Sequence, residues 1–397
     1  MLARQPHAAT PIKLEYSHPR EKTAHLDLAE LKIGFTGKTE GDLLHRFTIS
    51  QDVHIYVEPA HPLSIGELFE TLIAPIQGFL AFATERAADV SSLTVFSDDI
   101  LVDVGSSRTQ RCPIEVYLPT RHGQTTSEGQ LHPHDFLFTF QDVEAPFERV
   151  MANWFELYRD VPHCLNLQTG TYYSPHLHLD RVFLILAQVS EILHRQYSSR
   201  TKMLRKEFTR RVRLIEERTP RWLADWARPY LTNELSFAQR LEELVHEYGE
   251  CVLPLCASAA EFVRSTVDTR NYYTHYSSGL RTKAARGKDL LLLTKALSVL
   301  VRCCVLARLG VPGRERKRLF LRNQAFLFPL RESTNPEARA LFVCKDVDER
   351  NRRILAACDA GQMTQRQIAA LAGLSASAVS RIVKSLRPAG GMRGSNL

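Results

Sequence analysis

The sequence predicts an α+β protein with a β-rich N-terminal α+β domain, a central all-α helical bundle and a C-terminal helix-turn-helix. Residues up to about 142 alternate short runs of β-type residues with turn residues. From about residue 143 onward, apolar residues recur at helical spacing instead. A chain of 397 residues has room for two or three domains of about 150 residues each.

The N-terminal domain, residues 1–142, is predicted from short strands and one helix. Ser64 is a suitable N-cap, and apolar residues follow it at helical spacing as far as Leu80. Pro75 lies inside this stretch and is expected to kink or split the helix. The predicted strands cover residues 12–16, 31–35, two runs between 46 and 57, 93–96 and 114–118.

The central region, residues 143–312, is predicted to be helical, with a bundle core at about 178–312. Its long apolar stretches cover residues 182–197, 237–248, 252–263 and 290–309. Periodicity weakens over residues 313–345, which predicts a linker. A compact helical unit follows at 346–387, and the glycine-rich tail at 388–397 is expected to be disordered.

The net charge of +7 and the pI near 9.0 favour an anionic partner such as nucleic acid. Basic residues are concentrated between Arg195 and Arg228. The alternative for this run is a solvated helix face, because Glu207 and two further glutamates offer local ion pairs. The candidate contacts to an RNA backbone are Arg205, Lys206, Arg210 and Arg211.

Several classes of protein are disfavoured by the sequence. The eight cysteines include no C-x2-C pair, so neither a zinc ribbon nor a disulfide framework is predicted. The N-terminus lacks an apolar signal region, and the longest apolar stretch is interrupted by Lys295, Arg302 and Arg308. We therefore expect a cytoplasmic protein without a membrane span.

Two H-x-H pairs invite a metal interpretation, His132 with His134 and His176 with His178. Neither pair has a clear third ligand nearby in the sequence, and zinc sites use three or four protein ligands. We therefore expect no metal and no cofactor.

Residues 364–386 have the pattern of a helix-turn-helix. Thr364 and Ser375 can cap the two helices, and Gly373 stands where the turn requires a positive φ. The second helix is expected to bury Val379, Ile382 and Leu386. The candidate DNA contacts are Ser375, Ser377, Ser380, Arg381 and Lys384. Dimerisation or docking to another protein is the alternative role.

Arg270 and His275 form an R-x4-H pair within TRNYYTHY, residues 269–276. The spacing alone is not specific, because Arg20 with His25 and Arg240 with His246 give similar pairs. The context of Arg270 differs, since polar Asn271 follows it and three tyrosines can pack around the site.

The stretch from about Glu261 to Val311, which joins TRNYYTHY to a long apolar helix, resembles the HEPN domain of ApeA-type anti-phage proteins. Residues 62–99 resemble the N-terminal domain that precedes it in that family, so the similarity covers about residues 10–312. The C-terminal helix-turn-helix lies outside the core family pattern.

The resemblance implies metal-independent RNA cleavage, in which a ribose 2′-OH attacks the adjacent phosphodiester. His275 would transfer a proton, because imidazole titrates near neutral pH. Arg270 would contact the phosphoryl oxygens, and Asn271 would orient the histidine or donate to the phosphate. DNA lacks the attacking hydroxyl, and a tRNA is a candidate substrate.

Five residues at about 100° each separate Arg270 and His275 by roughly 140° on an ideal helix. Either the motif straddles a helix start capped by Asp268 or Thr269, or two chains combine their motifs. HEPN ribonucleases have a composite site of the second kind, which implies a homodimer.

Other interpretations remain open at this point. Arg270 could pair with a carboxylate of the bundle, and His275 could be a hydrogen-bonded, half-buried histidine. The whole chain could be a non-enzymatic DNA-binding regulator whose HEPN bundle only dimerises, or a HEPN partner controlled by a nucleotidyltransferase.

Overall fold

The computed structural model describes residues 19–42, 46–105, 108–118, 132–332, 336–361 and 363–386. Within these ranges the fold is mixed α+β and mainly helical. The strands are β1 Lys22–His25, β2 Ala29–Asp42, β3 Arg46–Pro59, β4 Thr94–Asp103 and β5 Thr109–Glu115. The strand expected at 12–16 and the tail at 388–397 lie outside the described residues.

Two small antiparallel sheets form the β part of the N-terminal region. One has the order β1-β2-β3, and the other pairs β4 with β5. The two runs predicted between 46 and 57 form a single long strand, because β3 pairs with β2 along its whole length. Only part of the predicted strand 114–118 is in β5, which ends at Glu115.

The helix predicted after Ser64 is confirmed. It consists of α1 (Ile65–Leu68), a π-helical turn (Phe69–Ile73) and α2 (Ala74–Thr84). Ser64 accepts a hydrogen bond from the Glu67 backbone N–H, and the Glu67 carboxylate accepts one from Ser64 N at 2.9 Å. The π turn ends at Ile73, two residues before Pro75. The backbone nitrogen of Pro75 has no hydrogen and therefore cannot donate the usual helix hydrogen bond.

The central region is helical, as predicted. Its helices are α3 Phe140–Val143, α4 Phe147–Asp160, α5 Pro162–Gly170, α6 Leu179–Tyr197, α7 Arg205–Arg218, α8 Arg221–Ala227, α9 Phe237–Tyr248, α10 Ala259–His275 and α11 Gly287–Arg308. Helix α11 packs against α6 and α9, and α10 packs against the same two helices. Trp154, Phe183 and Leu297 are fully buried in the core that these helices share with the N-terminal region.

The helix expected at 252–263 is not formed as such. Short 3-10 turns cover Gly249–Cys251 and Leu253–Leu255, and α10 begins only at Ala259. Pro254 fits this break, because proline disfavours the interior of an α-helix. The apolar residues of this segment are nevertheless buried in the core, and this burial accounts for the apolar pattern that suggested a helix.

The segment 313–345, expected to be a linker, contains three helices, α12 Gly313–Arg322, α13 Gln324–Arg331 and α14 Pro336–Val343. Leu319, Phe320 and Phe326 are buried in the common core. Asp142 accepts hydrogen bonds from Arg318 at 2.9 Å and from both terminal nitrogens of Arg322. The segment is thus packed against the end of the N-terminal region.

The last three helices are α15 Val347–Ala360, α16 Gln365–Ala372 and α17 Ala376–Leu386. Thr364 and Ser375 cap α16 and α17 as predicted, and Gly373 has φ +68° in the turn between them. The buried positions of α17 are Val379 and Val383, whereas Leu386 is exposed and Ile382 only half-buried. The predicted buried stripe was therefore wrong for these last two residues, because α17 faces α15 as well as α16.

In the part of the chain that the structure describes, two helical stretches are long and apolar enough to cross a membrane, by length and composition only: Ile65–Thr84 and Gly287–Arg308. The apolar window of the second is 72% buried inside the protein. Arg302, within this helix, forms a buried ion pair with Glu85 at 2.6 Å. The packing of Gly287–Arg308 is that of a core helix.

Candidate functional site

The R-x4-H motif lies in the last two turns of α10. Ser258 caps the start of this helix by accepting from Glu261 N at 3.1 Å. The helix ends at His275, and Tyr276 follows in the left-handed conformation with φ +50°. The expected helix start at Asp268 or Thr269 was therefore wrong. Asp268 and Thr269 are interior to α10, and Arg270 and His275 both lie within the helix, so the separation of roughly 140° around it applies.

Arg270 is half-buried and braced by its neighbours. Its guanidinium donates to the Asn271 Oδ1 at 3.1 Å and lies 5.7 Å from the centroid of the Phe237 ring. A carboxylate oxygen of Glu191 on α6 is 4.0 Å away. Arg270 therefore does pair with a carboxylate of the bundle, the alternative left open by the sequence, but the two groups are far apart for an ion pair. Because this ion pair is long and the Arg270 side chain is 35% exposed, the guanidinium can still bind an anionic ligand.

His275 is exposed at the end of α10. The alternative of a half-buried core histidine therefore does not describe it. The three tyrosines of the motif contact one another, since the Tyr272 ring lies 5.2 Å from Tyr273 and 5.5 Å from Tyr276. An imidazole in this position can reach a ligand from solvent.

The segment after the motif is folded back onto α10. The buried Thr269 hydroxyl accepts from Ala285 N at 2.9 Å, and the Arg286 guanidinium donates to the Tyr272 hydroxyl at 3.0 Å. The Tyr273 hydroxyl donates to the Ala285 carbonyl at 3.4 Å. These bonds fix the end of α10 that carries Asn271 and His275.

The competing pair Arg240 and His246 has a different arrangement. Arg240 is 5% exposed and donates to the Leu235 carbonyl at 3.1 Å and to Glu234 at 3.4 Å. A guanidinium that is buried in this way supports the bundle and is not available to a phosphate. His246 lines a cleft of about 680 Å³ that also contains His194 and Glu243, and none of the predicted catalytic residues lines it.

The first pair, Arg20 and His25, belongs to the N-terminal sheet region. His25 is in β1, and its ring lies 3.2 Å from a Glu30 carboxylate on β2. This arrangement is a surface contact between neighbouring strands.

The four candidate RNA contacts lie on the exposed helix α7. Arg210 and Arg211 both contact Glu207, at 2.9 Å and 2.7 Å, so local pairing does occur here. These bonds lower the pKa of Glu207 to about 2. Arg205 and Lys206 are exposed at the start of the helix.

The candidate DNA contacts are on or next to α17. Ser375, Ser377, Arg381 and Lys384 are exposed and Ser380 is half-buried. The Ser375 hydroxyl is used in the cap, where Ala378 N donates to it at 3.2 Å and the Ser377 hydroxyl lies 2.9 Å away. Arg381 and Lys384 are exposed to solvent, whereas Val379 and Val383 of the same helix are buried.

Among the described residues, one group of buried side chains has the spacing of metal ligands, namely Glu250, Cys251 and Cys303, whose ligand atoms lie within 4.8 Å of one another. Arg316 already donates to the Glu250 carboxylate at 2.6 Å. Burial also raises the pKa of the Cys251 thiol well above its usual value, which disfavours the thiolate that a metal needs. We assign this group to packing around a buried ion pair.

The contacts that brace Arg270 were missed by the sequence analysis. Glu191 accepts from Arg195 at 3.2 Å, and Arg195 in turn donates to Glu234 at 2.9 Å. The i,i+4 spacing of Glu191 and Arg195 was a visible signal. Their proximity to Arg270 was not, because α6 and α10 are brought together only by packing.

The fold and the site define a mixed α+β protein whose helical region carries a polar R-N-x3-H motif at the end of a bundle helix. Residues 184–315 match the family model described as Apea-like HEPN, and residues 7–154 match the model of ApeA N-terminal domain 1. Together these matches support an ApeA-like HEPN protein. The HEPN family is generally nuclease-like. No curated protein and no solved structure matches the chain.

Proposed function

We propose that this chain is a metal-independent RNA endonuclease of the HEPN type that acts in anti-phage abortive infection in the cytoplasm. The observation that carries the proposal is the end of α10 inside the HEPN match. There, Arg270 is braced but accessible, Asn271 contacts it at 3.1 Å, and His275 is exposed to solvent.

The chemistry follows from the side chains. The ribose 2′-OH attacks the adjacent phosphorus, the bond to the 5′-oxygen breaks, and a 2′,3′-cyclic phosphate remains. His275 takes the proton from the 2′-OH or gives one to the 5′-oxygen. Arg270 presents two N–H groups to the phosphoryl oxygens of the transition state. Asn271 accepts from Arg270 through Oδ1, and its amide nitrogen can donate to the phosphate.

The proposal includes a homodimer. Arg270 faces Glu191 and Phe237 within its own chain, whereas His275 is on a different side of α10 and exposed. A single chain therefore does not aim both groups at one phosphate. A two-fold axis near the end of α10 would join the motifs of two chains in one composite site.

The test is cleavage of total RNA by the purified protein in EDTA, with the product ends identified. We expect fragments that end in 2′,3′-cyclic phosphate. Replacing His275→Ala should lower the cleavage rate by about 10²- to 10⁴-fold without changing thermal stability, because the side chain is exposed and transfers protons.

His246→Ala is the matched control, because His246 is also an exposed histidine that follows an arginine on a bundle helix. It should cleave like the unmodified protein. Equal cleavage rates for the unmodified protein, His275→Ala and His246→Ala would refute the proposed site. Cleavage that requires a divalent cation would refute it as well.

A second candidate function is regulation through DNA binding, with the HEPN bundle serving only for dimerisation. The observation that favours it is the exposed basic pair Arg381 and Lys384 on the capped helix α17. Specific binding of duplex DNA without any RNA cleavage would favour this function over the nuclease. Docking to another protein is the outcome if neither activity is found.

A further inference from the structure

Residues 199–233 form an arm that leaves the bundle between α6 and α9. The arm contains α7, α8 and the 3-10 turn Arg228–Tyr230. Its two ends are tied together, since Lys202 N donates to the Asn233 carbonyl at 2.9 Å and the Asn233 side chain donates to the Met203 carbonyl at 2.9 Å. We call these joined ends, Lys202 and Met203 with Asn233, the root of the arm; the hydrogen bonds fix the position at which the arm leaves the bundle.

The arm buries very little of itself. In this part of the chain, which the structure describes completely, Ala224 is the only buried residue, and α7 has none. Helices of soluble proteins ordinarily bury an apolar face against their neighbours. An apolar face that remains exposed is a common mark of an interaction surface.

The exposed face of the arm is aromatic. Trp222, Trp226 and Tyr230 follow one another at intervals of four residues and are 73%, 64% and 71% exposed. The rings of Trp226 and Tyr230 are 5.4 Å apart, centroid to centroid. Trp222 and Trp226 lie on the same side of α8, because residues four apart on a helix are neighbours, and Tyr230 in the following 3-10 turn extends this pair through its contact with Trp226.

The arm also carries most of the excess charge of the protein. Residues 199–233 contain ten Lys or Arg and four Asp or Glu, a net charge of +6, whereas the whole chain has +7. The Arg228 guanidinium bonds to Glu216 at 2.9 Å and so links the aromatic turn to the basic helix α7. The arm is therefore complementary to a polyanion that offers flat ring faces.

We propose that this arm binds an unpaired stretch of RNA. The bases stack on Trp222, Trp226 and Tyr230, and the phosphates contact the basic residues of α7. Paired bases cannot stack in this way, because their faces are already covered within the duplex. The inference rests on the proposed ribonuclease only for the choice of RNA as the polymer.

The root of the arm is connected to the candidate catalytic site. Arg195 donates to Glu234, beside the root, at 2.9 Å and to Glu191 at 3.2 Å. Glu191 is also the carboxylate that faces Arg270 at 4.0 Å. The root of the arm is thus linked through Arg195 and Glu191 to the end of the bundle that carries Arg270.

The tryptophans supply a direct assay. The chain has three, and Trp154 is fully buried in the core. Single-stranded RNA is titrated in EDTA into the full-length protein that carries His275→Ala, so that binding is measured without cleavage. We expect quenching of tryptophan fluorescence, because Trp222 and Trp226 stack on bases.

The test variant is Trp222→Ala with Trp226→Ala, assayed by anisotropy of a labelled RNA. Two lost stacking contacts, at about 1–3 kcal/mol each, should weaken binding by at least about 30-fold. The matched control is Phe96→Ala with Tyr117→Ala, two aromatic residues on or beside the β4–β5 sheet that are 59% and 89% exposed. Binding by the control should be unchanged.

Arg205→Ala with Lys206→Ala tests the phosphate contacts. For a single-stranded RNA, the loss of two contacts should reduce the slope of log affinity against log salt by about 1.4. An unchanged slope would remove α7 from the binding surface.

Several outcomes would overturn the proposal. They are absence of quenching, equal loss of affinity in the test and control variants, equal affinity for duplex RNA, and preferential binding to vesicles of anionic lipid. Dissociation of a dimer by the tryptophan substitutions would assign the arm to contacts between copies. If the unmodified protein binds single-stranded RNA but does not cleave it, the proposed nuclease is refuted and the proposed role of the arm stands. If RNA is cleaved at the same rate by the tryptophan variant and no quenching is seen, the proposed role of the arm is refuted and the nuclease stands.

Discussion

Asp142 provides a sensitive test of how the N-terminal region is joined to the helices after the HEPN bundle. Its carboxylate is 6% exposed and accepts from Thr139 N at 2.8 Å, from the Thr139 hydroxyl at 2.8 Å and from Arg318 at 2.9 Å. Arg322 adds two more hydrogen bonds. We predict that Asp142→Asn, which preserves the shape of the side chain, destabilises the protein.

The magnitude follows from what each partner loses. Removing one charge from a buried ion pair costs about 3–5 kcal/mol when the remaining charge cannot reach water. Here the side chains of Arg318 and Arg322 are 53% and 23% exposed, so both can regain solvent. We therefore expect a loss of about 2–3 kcal/mol in the free energy of unfolding.

The pH dependence has a definite sign. The hydrogen bonds from Arg322 and Thr139 outweigh the opposing effect of burial and lower the pKa of Asp142 well below its usual value. The stabilisation is therefore complete above the unfolded pKa of about 3.9 and is lost as the pH falls toward the folded pKa. Below pH 3.9 the difference between the two proteins should shrink by about 1.4 kcal/mol per pH unit.

The assay is urea unfolding, followed by circular dichroism, at pH 7 and at pH 3. Asp98→Asn is the control, because Asp98 forms an exposed ion pair with Arg111 at 2.6 Å and should contribute less than about 0.5 kcal/mol. Equal stability of the two variants at pH 7 would refute the reasoning. So would a deficit of Asp142→Asn that does not shrink at pH 3.

The remaining predictions concern the two candidate sites and one buried lysine. Arg270→Lys should lose most of the RNA cleavage, because an ammonium group cannot replace a bidentate guanidinium, and full activity in a cleavage assay would reduce Arg270 to a source of charge. Lys317 is held in a partly buried position by the Leu371 carbonyl at 2.6 Å, and burial lowers its pKa to about 8. Relative to Lys317→Met, the unmodified protein should therefore gain stability as the pH rises from 8 to 10.5 in thermal melts, and a constant difference would contradict this. Arg381→Ala with Lys384→Ala should lower the salt slope of duplex DNA binding by about 1.8 in an electrophoretic titration and leave RNA cleavage unchanged. Loss of cleavage in that variant would instead make α17 part of the nuclease.

Local signals in the sequence were reliable where one turn of chain decides the structure. Ser64, Thr364 and Ser375 cap the helices that they were expected to cap, and Gly373 has the positive φ expected of the turn. Caps and turns are satisfied by neighbours within three or four residues, so the sequence contains all that they need. The R-N-x3-H motif is different, because similar Arg-His spacings occur elsewhere in the chain and the family resemblance, not the spacing, singled it out; its catalytic role stays a prediction.

The surroundings of the candidate site were decided by tertiary packing. Glu191 and Phe237 reach Arg270 from two other helices, and neither could be assigned from periodicity. Packing also determined which Arg-His pair is accessible, since Arg240 is buried by the bundle while Arg270 is not. A hydrophobic pattern gives the apolar face of a helix without giving the helix that will cover it.

The sequence by itself determined the class of the fold, the caps, the turn at Gly373 and the motif of Arg270 and His275. Only the tertiary structure decided that α12, α13 and α14 form after the bundle, that α10 begins at Ala259, and that the arm at 199–233 leaves its aromatic residues exposed. The bonds between Asp142 and Arg322 join residues 180 positions apart. Contacts of such separation arise when apolar surfaces are buried together, and that burial depends on the whole chain at once.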